Sequence, residues 1–138
     1  MAYVDSNLND PSLFFNTVLW TGTNAGETIS GVGFQPDLNW TKQRTGTQPH
    51  VLVDSVRGVQ KTLSSNATDA ESTESTGLTA FNSDGFVHGT LNEYCEASNT
   101  FVSWSWKESV AAGFDIIGYT GNGSTQNISH SLSAKPDF

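Results

Sequence analysis

Apolar and polar positions alternate along much of this chain, which is the period of extended strands with one covered face. Phe14 to Thr21 (Phe-Phe-Asn-Thr-Val-Leu-Trp-Thr) is a β-branched and aromatic run, closed by the turn residues Gly22-Thr23-Asn24-Ala25-Gly26. Glu27 to Ser30 predicts a short return strand ahead of Gly31-Val32-Gly33. Leu38 to Lys42 alternates in strand period. His50 to Asp54 is more apolar and reads as a central strand, followed by a turn at Ser55-Val56-Arg57-Gly58. Leu78 to Phe81 and Phe86 to Gly89 flank Asn82-Ser83-Asp84-Gly85, the strongest hairpin signal in the chain. Phe101 to Lys107 alternates strictly, with Phe101, Ser103 and Ser105 on one face and Val102, Trp104 and Trp106 on the other. So regular an apolar stripe predicts a sandwich core or a subunit interface. Lys61 to Thr79 lacks strand character and reads as an exposed acidic loop with one helical turn capped at Thr68.

The alternation also repeats itself. Phe15-Asn-Thr-Val-Leu-Trp-Thr-Gly-Thr-Asn-Ala-Gly-Glu-Thr-Ile-Ser matches Phe114-Asp-Ile-Ile-Gly-Tyr-Thr-Gly-Asn-Gly-Ser-Thr-Gln-Asn-Ile-Ser. Trp20 aligns with Tyr119, Gly22 with Gly121 and Ile29 with Ile128, and Pro36-Asp37-Leu38 returns as Pro136-Asp137-Phe138 after one inserted residue. Such repetition marks a reused structural element, here a strand–turn–strand whose aromatic packs inward and whose Gly-rich hairpin faces out. The chain then divides into an arm at 1–13 with the turn cluster Asn9-Asp10-Pro11-Ser12, a β-sandwich module at 14–110, and the start of a second copy at 111–138. That last segment is expected to complete the sheet or to pair with another chain, as an unpaired apolar edge favours. Either the 138 residues are the front of a longer protein, or a partner completes the sheet.

Composition narrows the class. Fifteen aromatic residues (four Trp, three Tyr, eight Phe) argue for a packed core, while Ser, Thr and Asn make up about a third of the chain. The surface is therefore made polar by hydroxyls and amides more than by charge, in an all-β antiparallel fold. A net charge of −8, with only six basic residues set singly, offers no footprint for nucleic acid. No apolar run approaches a membrane span, and the first ten residues have no secretory pattern. The single Cys95 excludes an intrachain disulfide framework and reads as a small buried residue.

No constellation for catalysis emerges. His50, His88 and His130 are far apart, and no Gly-x-Ser-x-Gly elbow is present. The pairs Glu71/Glu74 and Glu93/Glu96 resemble glycosidase carboxylates only in chemical type. Asn82 with Asp84, or Asp69 with Glu71, supplies calcium-like oxygens without EF-hand spacing, and Asn-Ser-Asp-Gly is what a plain hairpin needs. No catalytic, cofactor or metal site is therefore assigned. Asn39, Asn66, Asn122 and Asn127 open Asn-x-Ser/Thr triplets that arise by chance at this composition. Arg57 is expected to pair with Asp54 and fix the turn. For glycan binding an exposed ring beside amides is needed, and Tyr94 with Asn92 is the expected contact.

Taken together, several motifs resemble a family of proteins from tailed bacteriophages, especially of marine and cyanobacterial hosts. They are Met1-Ala2-Tyr3 with Asp10-Pro11-Ser12, Leu19-Trp20-Thr21-Gly22, Gly31 through Lys42, Asp54 through Gly58, Ser65 through Glu71, Phe81 through Phe86, and Trp104-Ser105-Trp106-Lys107. The resemblance implies a laminin-G-like or concanavalin-like (jelly-roll) β-sandwich with an extended N-terminal arm. It also implies a non-enzymatic virion protein, a tail-fibre or surface-appendage module, assembled in the host bacterial cytoplasm. Its expected partners are other virion proteins and copies of itself in a homo-oligomer such as a trimer, with Tyr3, Val4, Leu8 and Phe138 as assembly contacts. Two alternatives stand beside it: a module that binds host surface glycan, and a capsid decoration protein.

Overall fold

The computed structural model describes residues 10–136. Tyr3, Val4, Leu8 and Phe138, expected to be assembly contacts, lie outside the described residues. The described part of the arm is a single 3-10 turn at Pro11–Leu13, with Asp10 accepting the Ser12 N–H at 3.1 Å. Pro11 sits where its missing N–H costs nothing.

Nine strands follow: β1 (Phe15–Thr21), β2 (Glu27–Ser30), β3 (Leu38–Gln43), β4 (Val51–Asp54), β5 (Lys61–Ser64), β6 (Ser72–Thr73), β7 (Leu78–Asn82), β8 (Gly85–His88) and β9 (Thr100–Trp106). The large sheet runs β1-β9-β3-β4-β5-β6 and the small one β2-β8-β7, with every pairing antiparallel. The expected all-β antiparallel sandwich is what forms. Between the sheets lie Ile29, Val51, Val53, Leu78, Phe86 and Tyr94, with Val18, Trp20, Phe81 and Leu91 packed against them.

Three local expectations are corrected, and among the described residues the second copy is seen without a strand partner in this chain. The return strand β2 does form, but it pairs with β8 and leaves β1 to β9, so Gly22 to Gly26 carries the chain between sheets. The polar stretch after Lys61 holds β5 and β6, because Thr and Ser supply strand backbone without an apolar signal. Thr68 caps no helical turn; the short helix α1 is at Asn92–Cys95. The second repeat copy forms no strand among the described residues beyond an isolated Ser109–Phe114 bridge.

The alternation of β9 leaves open whether its tryptophan stripe belongs to the sandwich core, and the register of the large sheet decides which side is inside. Register places Trp20, Phe101 and Gln43 in one row, Val18, Ser103, Thr41 and Val51 in the next, and Asn16, Ser105, Asn39 and Val53 in the third. This is the covered face, and Asn39, Thr41, Gln43, Ser103 and Ser105 on it are fully buried. They satisfy one another: Asn39 Nδ2 donates to Ser103 Oγ at 2.7 Å, Thr41 Oγ1 donates to Asn39 Oδ1 at 2.7 Å, and Gln43 Nε2 donates to Glu96. Buried amides and hydroxyls are tolerated because these bonds replace those lost to water. Trp104 and Trp106 are consequently turned outward, and Val102, on the same face, is covered there by its neighbours.

At the apolar end, Trp20 organises the packing. It stacks on Phe101 (centroids 5.4 Å apart), meets Phe86 edge-on at 5.8 Å, and donates its indole N–H to the Tyr94 carbonyl at 2.8 Å. His88 continues the column, 6.0 Å from Trp20 and 5.6 Å from Tyr94. Gly22, just past β1, donates to the Asn99 carbonyl at 2.9 Å. A Cβ on Gly22 would collide with the backbone of Cys95 and Glu96 at the end of α1. Only glycine lets these backbones approach so closely.

Two outcomes follow from this packing. Gly22→Ala forces α1 off the end of β1 and should cost about 1–3 kcal/mol, read as a lower urea midpoint with unchanged slope. His88 is buried, its Nδ1 meets the Gly89 carbonyl at 2.8 Å, and its Nε2 has no partner. Burial holds its pKa below the ordinary 6.5, outweighing the Gly89 carbonyl and Glu27, which act the other way. The unfolded chain therefore takes this proton more readily than the native one. The contribution is complete above 6.5 and is lost as pH falls from there toward the lowered native value. The urea midpoint of wild type should fall relative to His88→Phe between about pH 7 and pH 5; parallel curves would show that His88 contributes nothing.

Candidate functional site

The strand period that buries the polar ladder presents its opposite face to solvent. Leu19, Val102 and Lys42 form one outer row. Thr17, Trp104, Trp40, Leu52 and Leu63 form the second, and Phe15, Trp106, Leu38 and Asp54 the third. Leu19 is 61% exposed and Phe15 39%, while the three tryptophans are half-buried by each other and by their neighbours. Phe15 packs on Trp106 with centroids 5.0 Å apart, Trp40 on Trp104 at 5.3 Å, and Phe114 reaches Trp106 at 6.4 Å. The rings are tilted, so the surface is corrugated.

Several polar groups on this face are already engaged, while the Thr17 hydroxyl and the Trp104 and Trp106 indole N–H groups have no partner among the described residues. Trp40 Nε1 donates to Ser65 Oγ at 3.0 Å. Lys42 Nζ donates to the carbonyls of Gln43, Gly46 and Gln48. Asp54 accepts from Arg57 Nε at 2.6 Å, the pair expected from the sequence, and Arg57 also reaches Glu71 at 3.2 Å. What the face offers a partner is apolar and aromatic surface. Contiguous patches of that kind on a soluble domain mark sites of interaction.

The other candidates disperse. Tyr94, expected to be an exposed glycan contact, is fully buried and its hydroxyl has no partner; α1 turns it into the core while Asn92 alone stays exposed. Burial drives the Tyr94 phenol far above its ordinary range. Cys95 is buried as expected, and burial raises its thiol too. Glu71 is spent on Arg57 and Glu96 on Gln43, so neither glutamate pair is a free couple. Asp84 accepts the N–H groups of Gly31 (3.0 Å) and Gly33 (2.7 Å), which lower its pKa; its carboxylate pins the Gly31–Gly33 loop. His50 and His88 sit on β4's approach and on β8, and His130 in the exposed second copy. No group of three metal-ligating side chains occurs among the described residues.

A carboxylate cluster ties the segment after β9 to the sandwich. Asp37 accepts the Glu108 N–H at 2.8 Å and the Ser55 hydroxyl at 3.0 Å. Glu108 accepts the Ile116 N–H at 2.7 Å, and Asp115 accepts the Ser131 N–H at 2.5 Å. Burial, with the charges of Asp37 and Asp115 beside it, pushes the Glu108 carboxyl up. The Ser131 amide holds Asp115 down. These contacts make the cluster a tether for the second copy.

Alternation within β9 alone does not decide which of its faces is covered. The signal available was that the partner strand β3 carries Asn39, Thr41 and Gln43 in the same period as Ser103 and Ser105. No curated protein and no solved structure matches the chain. One family does, over residues 10–138: the chain belongs to the domain of unknown function DUF7483.

Proposed function

We propose that the chain is a non-enzymatic structural module of a phage particle, a tail-fibre or surface-appendage sandwich that works by assembly. The observation that carries this reading is the outer face of the large sheet, where Phe15, Leu19, Trp40, Trp104 and Trp106 lie together. An aromatic side chain buries roughly 150–250 Å². The five side chains are in part covered by one another, so they supply an apolar centre and neighbouring residues must supply the rest of a contact of about 800 Å² per partner. The polar face is sealed inside the sandwich, so covering the aromatic face leaves no internal amide unpaired. The phage setting comes from the resemblance of the sequence motifs, and sister chains are the partner it favours. A capsid decoration protein would use the same face by the same mechanism.

A glycan reading is less well supported. Sugars need several free donors and acceptors beside the rings, and here the Trp40 and Lys42 donors are occupied. That leaves the Thr17 hydroxyl and the Trp104 and Trp106 indoles, and no free amide or carboxylate on this face among the described residues. Light scattering at about 100 µM, well above the concentration where a micromolar contact saturates, should report an oligomer for the wild type. Leu19→Asp should return it to monomer, with a thermal midpoint equal to that of wild type at dilutions where both are monomeric, because Leu19 contributes little to the core. A wild-type chain that stays monomeric, or an oligomer indifferent to Leu19→Asp, overturns assembly through this face.

A further inference from the structure

In the second copy, the residues that should face a core have none to face. Val18, Trp20 and Ile29 pack inward in the first copy, and their counterparts Ile117, Tyr119 and Ile128 are 39%, 68% and 40% exposed. Gly121, the counterpart of Gly22, has no atom within 4 Å of the place a Cβ would take. At Gly22 the requirement for glycine comes from the α1 backbone pressed against it. At Gly121 nothing in the present arrangement asks for glycine. The second copy thus carries both the apolar residues and the glycine that the β1–β2 seat demands.

That seat lies within reach. Seven residues, Lys107 to Gly113, separate the end of β9 from Phe114. A strand returning antiparallel from β9 after such a loop lies along the edge that β1 now occupies. In β1 the residue opposite Trp106 is Phe15, and Phe114 already packs on the same Trp106 ring. The β9 edge has one place there, because its other side is taken by β3.

We propose that the β9–β8 edge is a strand-binding site with two occupants in the same chain, β1–β2 and residues 114–129. Its ligand class is an extended strand–turn–strand peptide of the pattern aromatic-Thr-Gly followed by Ile-Ser. β1–β2 holds the site in the ground state, since Trp20 supplies an indole N–H to the Tyr94 carbonyl and Leu19 faces outward where the second copy has Gly118. The exchange opens the Ser109–Phe114 bridge and the tether through Glu108 and Asp115. It brings Ile117, Tyr119 and Ile128 under cover and frees residues 15–30. This inference is independent of the phage assignment, and the exchange would withdraw Phe15 and Leu19 from the outer face.

Hydrogen exchange on the full chain tests it through two variants. Trp20→Ala weakens the resident strand. Tyr119→Trp strengthens its competitor at an exposed position and leaves the folded sandwich untouched. In both, amides of residues 116–120 should exchange about tenfold more slowly than in wild type, and those of residues 15–21 faster. Tyr119→Ala should lower the thermal midpoint in the Trp20→Ala background and leave it unchanged in wild type. Should Trp20→Ala fail to fold, Tyr119→Trp decides alone. Unchanged exchange of residues 116–120 in the variants overturns the proposal, as does an equal effect of Tyr119→Ala in both backgrounds. Protection that grows with protein concentration also overturns it, because the segment would then be seated on a second molecule.

Discussion

The hydrogen bond from Asn39 to Ser103, extended by Thr41, fixes the register of β3 against β9, and most of the molecule follows from that register. A slip of one residue would turn every side chain of β9 to the opposite face. It would turn Trp104 and Trp106 into the interior and Phe101 out of it. The polar ladder is therefore a register device as much as a packing solution. Its partners are spent on one another, so a shifted pairing would leave a buried amide or hydroxyl without a bond, at a cost of about 1–3 kcal/mol for each group. β9 transmits the choice to β1, whose Trp20 then falls opposite Phe101 and whose Phe15 falls opposite Trp106.

The aromatic part of the core is thereby confined to one end of the sandwich. Trp20, Phe101, Phe86, His88 and Tyr94 pack there in a continuous set of ring contacts, and the small sheet of three strands suffices to cover them. Along the large sheet the hydrogen-bonded ladder shares the interior with Val51 and Val53, and nearer the surface Asp84 and Asn16 fasten the loop through Gly31 and Val32. Ring packing tolerates small shifts of volume, whereas a hydrogen-bonded interior tolerates few shifts of direction. The two parts of the sandwich should accordingly differ in how they respond to substitution.

Much of this was legible in the residues. The limits of β1, β2, β4, β7, β8 and β9 are close to those expected, because each is bounded by Gly, Asn, Asp or Ser and carries β-branched or aromatic side chains. The Arg57–Asp54 pair and the buried Cys95 were also within reach of sequence reasoning. The period of β9 revealed which side chains share a face, but not which face is covered. Hydrophobicity would place the tryptophans inside, and a network spanning two strands distant in sequence reverses that. β5 and β6 were hidden because Lys-Thr-Leu-Ser and Ser-Thr form strands by pairing with neighbours that local pattern does not reveal. Tyr94 misled for a related reason: Asn92 and Glu93 make the stretch look exposed, while the helical turn at α1 rotates the ring inward.

The placement of the four tryptophans has an optical consequence. Three of them, Trp40, Trp104 and Trp106, belong to the outer face, and only Trp20 reports on the interior. Near-ultraviolet emission from this protein is thus dominated by a surface rather than by a core. Covering that surface would move the emission to shorter wavelength with no change in fold, and denaturation would produce a smaller change than the tryptophan content suggests. The molecule carries a built-in dye on the side where contact is expected.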